Sequence, residues 1–133
     1  MDSTKNPRGT FVGAKVDLEE CTRRFKLLAQ SGEEVKGVFG GAVIEGDGHA
    51  HCGTGKHFLI VTNERAIFSA GEPPTEENTD FWVYADITGA EAKKGLITGD
   101  VILTVKAAKK QFGFMQKTEA DTAVALIREQ IKA

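Results

Sequence analysis

The sequence predicts a mainly β (α+β) domain: a barrel of about seven short antiparallel strands capped by a C-terminal α-helix, with an extra N-terminal helix. Three observations carry this. Between residues 35 and 115, short apolar and β-branched runs alternate with glycine-rich and turn-forming breaks, the texture of short strands. At both ends the apolar spacing changes to the three-and-four steps of an amphipathic helix. Seven such strands cannot lie flat with an apolar face in water, so they close on themselves, and a terminal helix with one apolar stripe fits the open end.

The elements follow in order. Residues 1–16 contain Pro7, Gly9 and Gly13 and no sustained period, and read as a flexible arm; 17–133 read as one domain. A helix is predicted over 17–31, where Asp17 and Glu20 have capping-box spacing and Leu18, Cys21, Phe25 and Leu28 share a face. Glu19/Arg23 and Glu20/Arg24 are i,i+4 pairs on its polar side, and Gly32 is suited to end it. Strands are predicted at 35–44, 58–62, 66–69, 81–84, 87–94, 100–106 and 110–115. Thr62-Asn63-Glu64-Arg65 reads as a hairpin turn, and 70–80 as an acidic, proline-bearing loop. The closing helix spans 118–132, with Thr118 as its cap, Asp121 in the capping-box position, and Ala120, Val124, Ile127 and Ile131 as its stripe.

Composition narrows the function classes. At 133 residues there is room for one domain with a real core, and 41% apolar with 27% charged residues is ordinary globular usage. A net charge of −2 gives no bulk attraction to nucleic acid or to an anionic membrane, so any such contact needs a local patch. Cys21 and Cys52 are too few for a disulfide framework and read as thiols in a reducing compartment. The first 15 residues lack the apolar stretch of a signal peptide, and the longest strictly apolar run, Phe58 to Val61, is too short to span a bilayer. The expected location is cytoplasmic.

Particular segments also resemble a known family. Lys56-His-Phe-Leu-Ile-Val-Thr-Asn-Glu-Arg-Ala-Ile-Phe68 is similar to the central hairpin of bacterial pleckstrin-homology (PH) domain proteins, the YokE-like branch. Tyr84-Ala-Asp-Ile-Thr-Gly-Ala-Glu-Ala-Lys-Lys-Gly-Leu-Ile-Thr-Gly99 resembles the segment that follows there, and a Phe-rich strand running into a helix resembles its ending. The likeness covers roughly residues 30–132 and leaves out the N-terminal arm. It implies a PH-like barrel of two near-orthogonal sheets capped by the C-terminal helix. It implies no known activity.

From Lys93 to Lys117 there are six lysines (Lys93, Lys94, Lys106, Lys109, Lys110 and Lys117) and one acid, Asp100, whereas residues 70–91 hold six acids and no Lys or Arg. The lysines are the ligand-binding candidates, for a phosphate-bearing or acidic partner; the plain reading is solvated faces and turns. Anionic lipid is not the favoured ligand, because the loop after the first strand carries Glu45 and Asp47 and only Lys56 as a dependable cation. His49, His51, Cys52 and His57 are metal-capable, but their spacing matches no recurring zinc pattern, and a polar loop is the plainer reading. Gly53-Thr-Gly-Lys56 fails as a phosphate-binding loop, since Ala50 occupies the first glycine position and His57 follows the lysine.

Catalysis finds little support. The histidines fall in one segment, no Gly-x-Ser-x-Gly is present, and Cys52 and His51 as neighbours in an extended chain point oppositely. Trp82 and Tyr84 share one face of a strand whose other face carries Phe81 and Val83. Trp82, Tyr84, Leu18 and Phe25 are therefore the interface candidates, with the N-terminal helix or another subunit covering the second face. The function expected is a non-catalytic binding or assembly module, acting through a protein partner or homo-oligomerisation, with no cofactor and no nucleic acid. The alternatives are a membrane-surface or phosphate-ligand adaptor using the lysines, and a small metal-binding protein using the His-Cys loop.

Overall fold

The computed structural model describes residue 23 and residues 29–48, 57–70 and 76–133. The predicted arm and nearly all of the predicted N-terminal helix, Leu18 and Phe25 included, lie outside the described residues, as do His49, His51 and Cys52. Seven strands follow: β1 (Val35–Glu45), β2 (His57–Thr62), β3 (Arg65–Ser69), β4 (Thr79–Val83), β5 (Ile87–Lys94), β6 (Thr98–Val105) and β7 (Ala108–Gln116). Short 3-10 turns at Glu76–Asn78 and Tyr84–Asp86 flank β4, and helix α1 (Lys117–Lys132) ends the chain. All pairings are antiparallel, in the order β4-β3-β2-β1-β7-β6-β5.

Strand β1 holds the two halves together. Its first part, to Gly41, pairs with β2, and from Ala42 it pairs with β7. The change of partner falls between Gly41 and Ala42, where residue 41 has no room for a Cβ. A Cβ at Gly41 would collide with the Gly113 carbonyl oxygen and lie 2.6 Å from Phe112. The glycine-rich stretch is thus the crossing point that lets one long strand serve both halves.

The inward side chains make one core. Leu59, Val61, Phe68, Trp82, Leu103 and Phe112 belong to it, and the stripe Ala120, Ala123, Val124 and Ile127 of α1 covers it. Phe68 stands edge-on to Trp82 with ring centroids 4.7 Å apart and tilts against Phe112 at 5.5 Å. A smaller cluster, Phe58, Ile60 and Ile67, lies on the opposite face of β2 and β3 with Ala29, Val35 and Val38 against it. That is why β2 and β3 are buried along their whole length.

Three details differ from expectation. The last helix starts at Lys117, after an extended Gln116 whose side chain makes no cap; Thr118 lies inside the first turn, where its carbonyl accepts a bond from Thr122. Tyr84 leaves the strand and opens a 3-10 turn. The β6–β7 hairpin turns on Lys106 and Ala107, both at positive φ (50° and 70°), the geometry that Asn-Gly adopts readily and these residues do not. Replacing the pair with Asn-Gly is expected to raise stability by about 1 kcal/mol in urea unfolding. The ion pair lost is small, because Lys106 and Asp86 are 3.7 Å apart and largely exposed.

Candidate binding surfaces

The six candidate lysines do not make one patch. Lys94 pairs in register with Gly99 at the start of β6, while Lys106 follows Val105 at its end. Six residues at the strand rise put the two groups roughly 20 Å apart. Lys93, Lys94 and Lys117 gather at the β5–β6 end; Lys106, Lys109 and Lys110 gather at the β6–β7 turn.

Most of the second group is engaged. Lys110 is a structural residue, only 14% exposed, with its ammonium 2.7 Å from Asp47 Oδ1. Asp47 Oδ2 accepts the Trp82 indole N–H at 2.9 Å, and the Asp47 backbone N–H donates to Asp80 at 2.8 Å. This chain of bonds ties the end of β1 to β4 and β7. Lys106 pairs with Asp86, and Lys109 donates to Thr104 Oγ1. At the other end Lys94 pairs with Asp121 at 3.0 Å, and Lys93 and Lys117 have no ion pair among the described residues.

The aromatic strand is oriented in the opposite sense to the interface expectation. Trp82 points into the barrel and is 6% exposed, so it is a core residue. Tyr84 is a clamp: its hydroxyl lies 2.6 Å from the Thr62 carbonyl and 2.9 Å from that of Arg65, closing the β2–β3 turn, and burial pushes its pKa well above the usual tyrosine range. The outward pair is Phe81 and Val83, at 48% and 43% exposure. Register sets Phe81 beside Ile67 of the second apolar cluster and Val83 beside Arg65, whose guanidinium lies 4.7 Å from the Phe81 ring centroid. These two side chains therefore extend a buried apolar face out to the edge strand.

The β2–β3 turn is held by a node that sequence reading missed. Glu33 Oε2 accepts from Arg65 Nε at 2.8 Å and Thr62 Oγ1 at 2.7 Å; Oε1 accepts from Arg65 Nη2 at 3.0 Å and the Gln30 N–H at 2.9 Å. Burial alone would raise the Glu33 pKa, but these donors and the Arg65 charge outweigh it and hold the carboxyl below its ordinary range. No motif joins residues so far apart in the chain, and the signal that existed was an Arg in a turn before a buried strand.

Of the four metal-capable residues, His57 alone is among the described ones. It is 3% exposed in β2, and its Nδ1 accepts the Val43 N–H at 2.9 Å, which occupies the lone pair a metal would need at that atom. Among the described residues no group of three His, Cys, Asp or Glu side chains is placed to hold a metal ion. No helix among them is long and apolar enough to cross a membrane.

Another surface lay unread in the sequence. The β5–β6 hairpin closes with the Gly95 N–H donating to the Thr98 carbonyl at 2.8 Å, leaving Leu96 and Ile97 as its tip at 95% and 84% exposure. Turn tips are ordinarily polar, and burying each of these side chains would be worth about 2 kcal/mol. Two aliphatics between glycine and threonine in a hairpin was the available signal.

Seven antiparallel strands curled about one core, with a C-terminal helix across the opening, define the PH-like fold, a class made up generally of binding and adaptor modules. Residues 30–129 match the family model described as Bacterial PH domain, so the chain belongs to the bacterial PH domain family. The match is to the family as a whole and singles out no branch within it. No curated protein matches the chain in sequence. Among solved structures it is similar to the Vps36 N-terminal PH domain, with TM-score 0.59, 14% identity, and 79% of this chain and 86% of that one covered. It is also similar to the C-terminal domain of an unknown protein from Leishmania infantum, with TM-score 0.56, 16% identity, and 96% and 100% covered. At these identities the likeness is one of fold.

Proposed function

We propose that this PH-like domain is a non-catalytic assembly module that pairs with a second copy of itself through the Phe81–Val83 face of β4. The observation that carries this reading is the pair of apolar side chains, each nearly half exposed, on the outermost strand of the sheet and continuous with a buried apolar cluster. Among the described residues β4 pairs with β3 alone. An edge of that kind is a template for pairing. A twofold axis beside β4 would bring the same face of each copy against the other and bury both apolar pairs, so that no separate complementary surface is needed.

The reading replaces Trp82 and Tyr84 as the contact residues, since both are committed within the fold. Phe81→Glu/Val83→Glu is the corresponding test. The substitutions fall on the outward side of β4 and leave the Trp82 face of the core intact, so the monomer should stay folded, while any concentration-dependent increase in solution mass by sedimentation velocity should disappear. A variant that self-associates as the parent does would rule this face out.

A further inference from the structure

We propose that residues 17–28 form an amphipathic helix that lies along the outer face of β2 and β3 of its own chain and covers the second apolar cluster. The burial profile across the sheet is the footprint of such a rod. On the outward side, Phe58 and Ile60 of β2 and Ile67 of β3 are at most 1% exposed. Val35 and Val38 of β1, to one side, are only partly buried, and Phe81 of β4, to the other, is half exposed. The fully covered band is therefore two strands wide, roughly 10 Å, which is the diameter of one α-helix. Among the described residues, the partly buried apolar side chains packed on this cluster are Ala29, Val35 and Val38. Two of these stand in β1 beside it. That leaves Ala29 as the one outside the sheet, and a single methyl group cannot shield three large side chains.

The chain delivers the segment to this face. Gly32, at φ 81°, sits in a turn fastened to the β2–β3 turn. Its carbonyl accepts from the Asn63 side-chain NH2 at 3.2 Å, and the Asn63 side-chain oxygen accepts the Glu34 N–H at 2.7 Å. Ala29 already touches the cluster, so the residues before it reach β2 and β3 with no intervening loop. A helix over 17–28 would be about 18 Å long, close to the roughly 20 Å of a six-residue strand such as β2. Its apolar side is in the sequence. At about 100° per residue, Leu18, Cys21, Phe25 and Leu28 share one face and Arg23 points directly away from it. Arg23 is helical and exposed, as the side turned from the sheet must be. Residues 1–16, 49–56 and 71–75 carry no such stripe. The helix would also set the border of the self-pairing face: lifted off, it would join Phe58, Ile60 and Ile67 to Phe81 and Val83 in one exposed apolar surface.

The test is the reactivity of Cys21 in the full chain carrying Cys52→Ser, which leaves a single thiol. In the proposed position Cys21 faces the sheet. Dithiobisnitrobenzoate should therefore label it at least about a hundredfold more slowly than in the urea-unfolded chain, at a rate independent of protein concentration. Phe25→Asp in the same background should speed the labelling at least about tenfold. Trp82 emission should stay native in that variant, because Trp82 lies in the core on the other side of the sheet. Phe81→Glu/Val83→Glu should leave the protection unchanged, which separates this result from the self-pairing face. Labelling of Cys21 at the unfolded rate overturns the proposal. Protection that appears only as the protein concentration rises overturns it as well, since a second copy would then supply the cover; so does full protection in Phe25→Asp.

Discussion

Gly41→Ala is expected to destabilise the domain by about 3 kcal/mol and to lower its thermal midpoint by roughly 10 °C, far beyond an ordinary glycine substitution in a strand. The added methyl would be driven into the Gly113 carbonyl oxygen, with Phe112 at 2.6 Å and Met115 at 3.1 Å. Neither neighbour can retreat, because Phe112 and Met115 are fully buried and Phe112 packs on Phe68. A backbone oxygen on β7 can move only by opening the strand pairing that joins the two halves of the sheet. Gly89→Ala is the control, since its Cβ would meet only Thr104, at 3.8 and 3.9 Å. It should change stability by less than about 1 kcal/mol. Comparable losses at the two positions in urea unfolding would mean that β1 does not cross between partners where it is described.

The second large effect is at Glu33, where a substitution to Gln should cost about 3 kcal/mol at neutral pH. Two donors converge on each carboxylate oxygen, so an amide NH2 on either side faces donors it cannot accept from. The Arg65 guanidinium that the carboxylate meets is itself 7% exposed, and solvent screens the pair little. The pH dependence has a definite sign. The folded Glu33 pKa lies below the ordinary value of 4.5, so the unfolded chain takes up the proton first. Its contribution is therefore fully present above 4.5 and is lost as pH falls through the lower, folded value. Urea midpoints of the parent and Glu33→Gln should differ most near neutrality and converge in acid. A constant gap down to strongly acidic pH would show that the carboxylate charge is not what the node uses.

The strands and the closing helix were legible because each carries its period on its own residues: Val101, Leu103 and Val105 alternate, and Ala120, Val124 and Ile127 step by four and three. The side-chain alternation of β4 was legible too, but not its sense. Phe81-Trp82-Val83 is apolar on both faces, so only the pairing with β3 decides that Trp82 goes inward. The lysines looked like one cluster because sequence distance hides the length of a hairpin: Lys94 and Lys106 are joined by a strand that carries them to opposite ends. Gly41, Glu33 and Lys110 were unreadable for a common reason. Each is defined by a group distant in the chain, namely the Gly113 carbonyl, the Arg65 guanidinium and the Asp47 carboxylate. The Leu96–Ile97 tip was different: its signal was local, an apolar pair where a polar turn was expected.

The proposed assembly is tested most directly by the solution mass of the unaltered chain, measured by light scattering over a series of protein concentrations at low and high salt. The account predicts a mass rising to twice that of the protomer and holding at high salt, because the contact is apolar. A monomer mass at every concentration would contradict it.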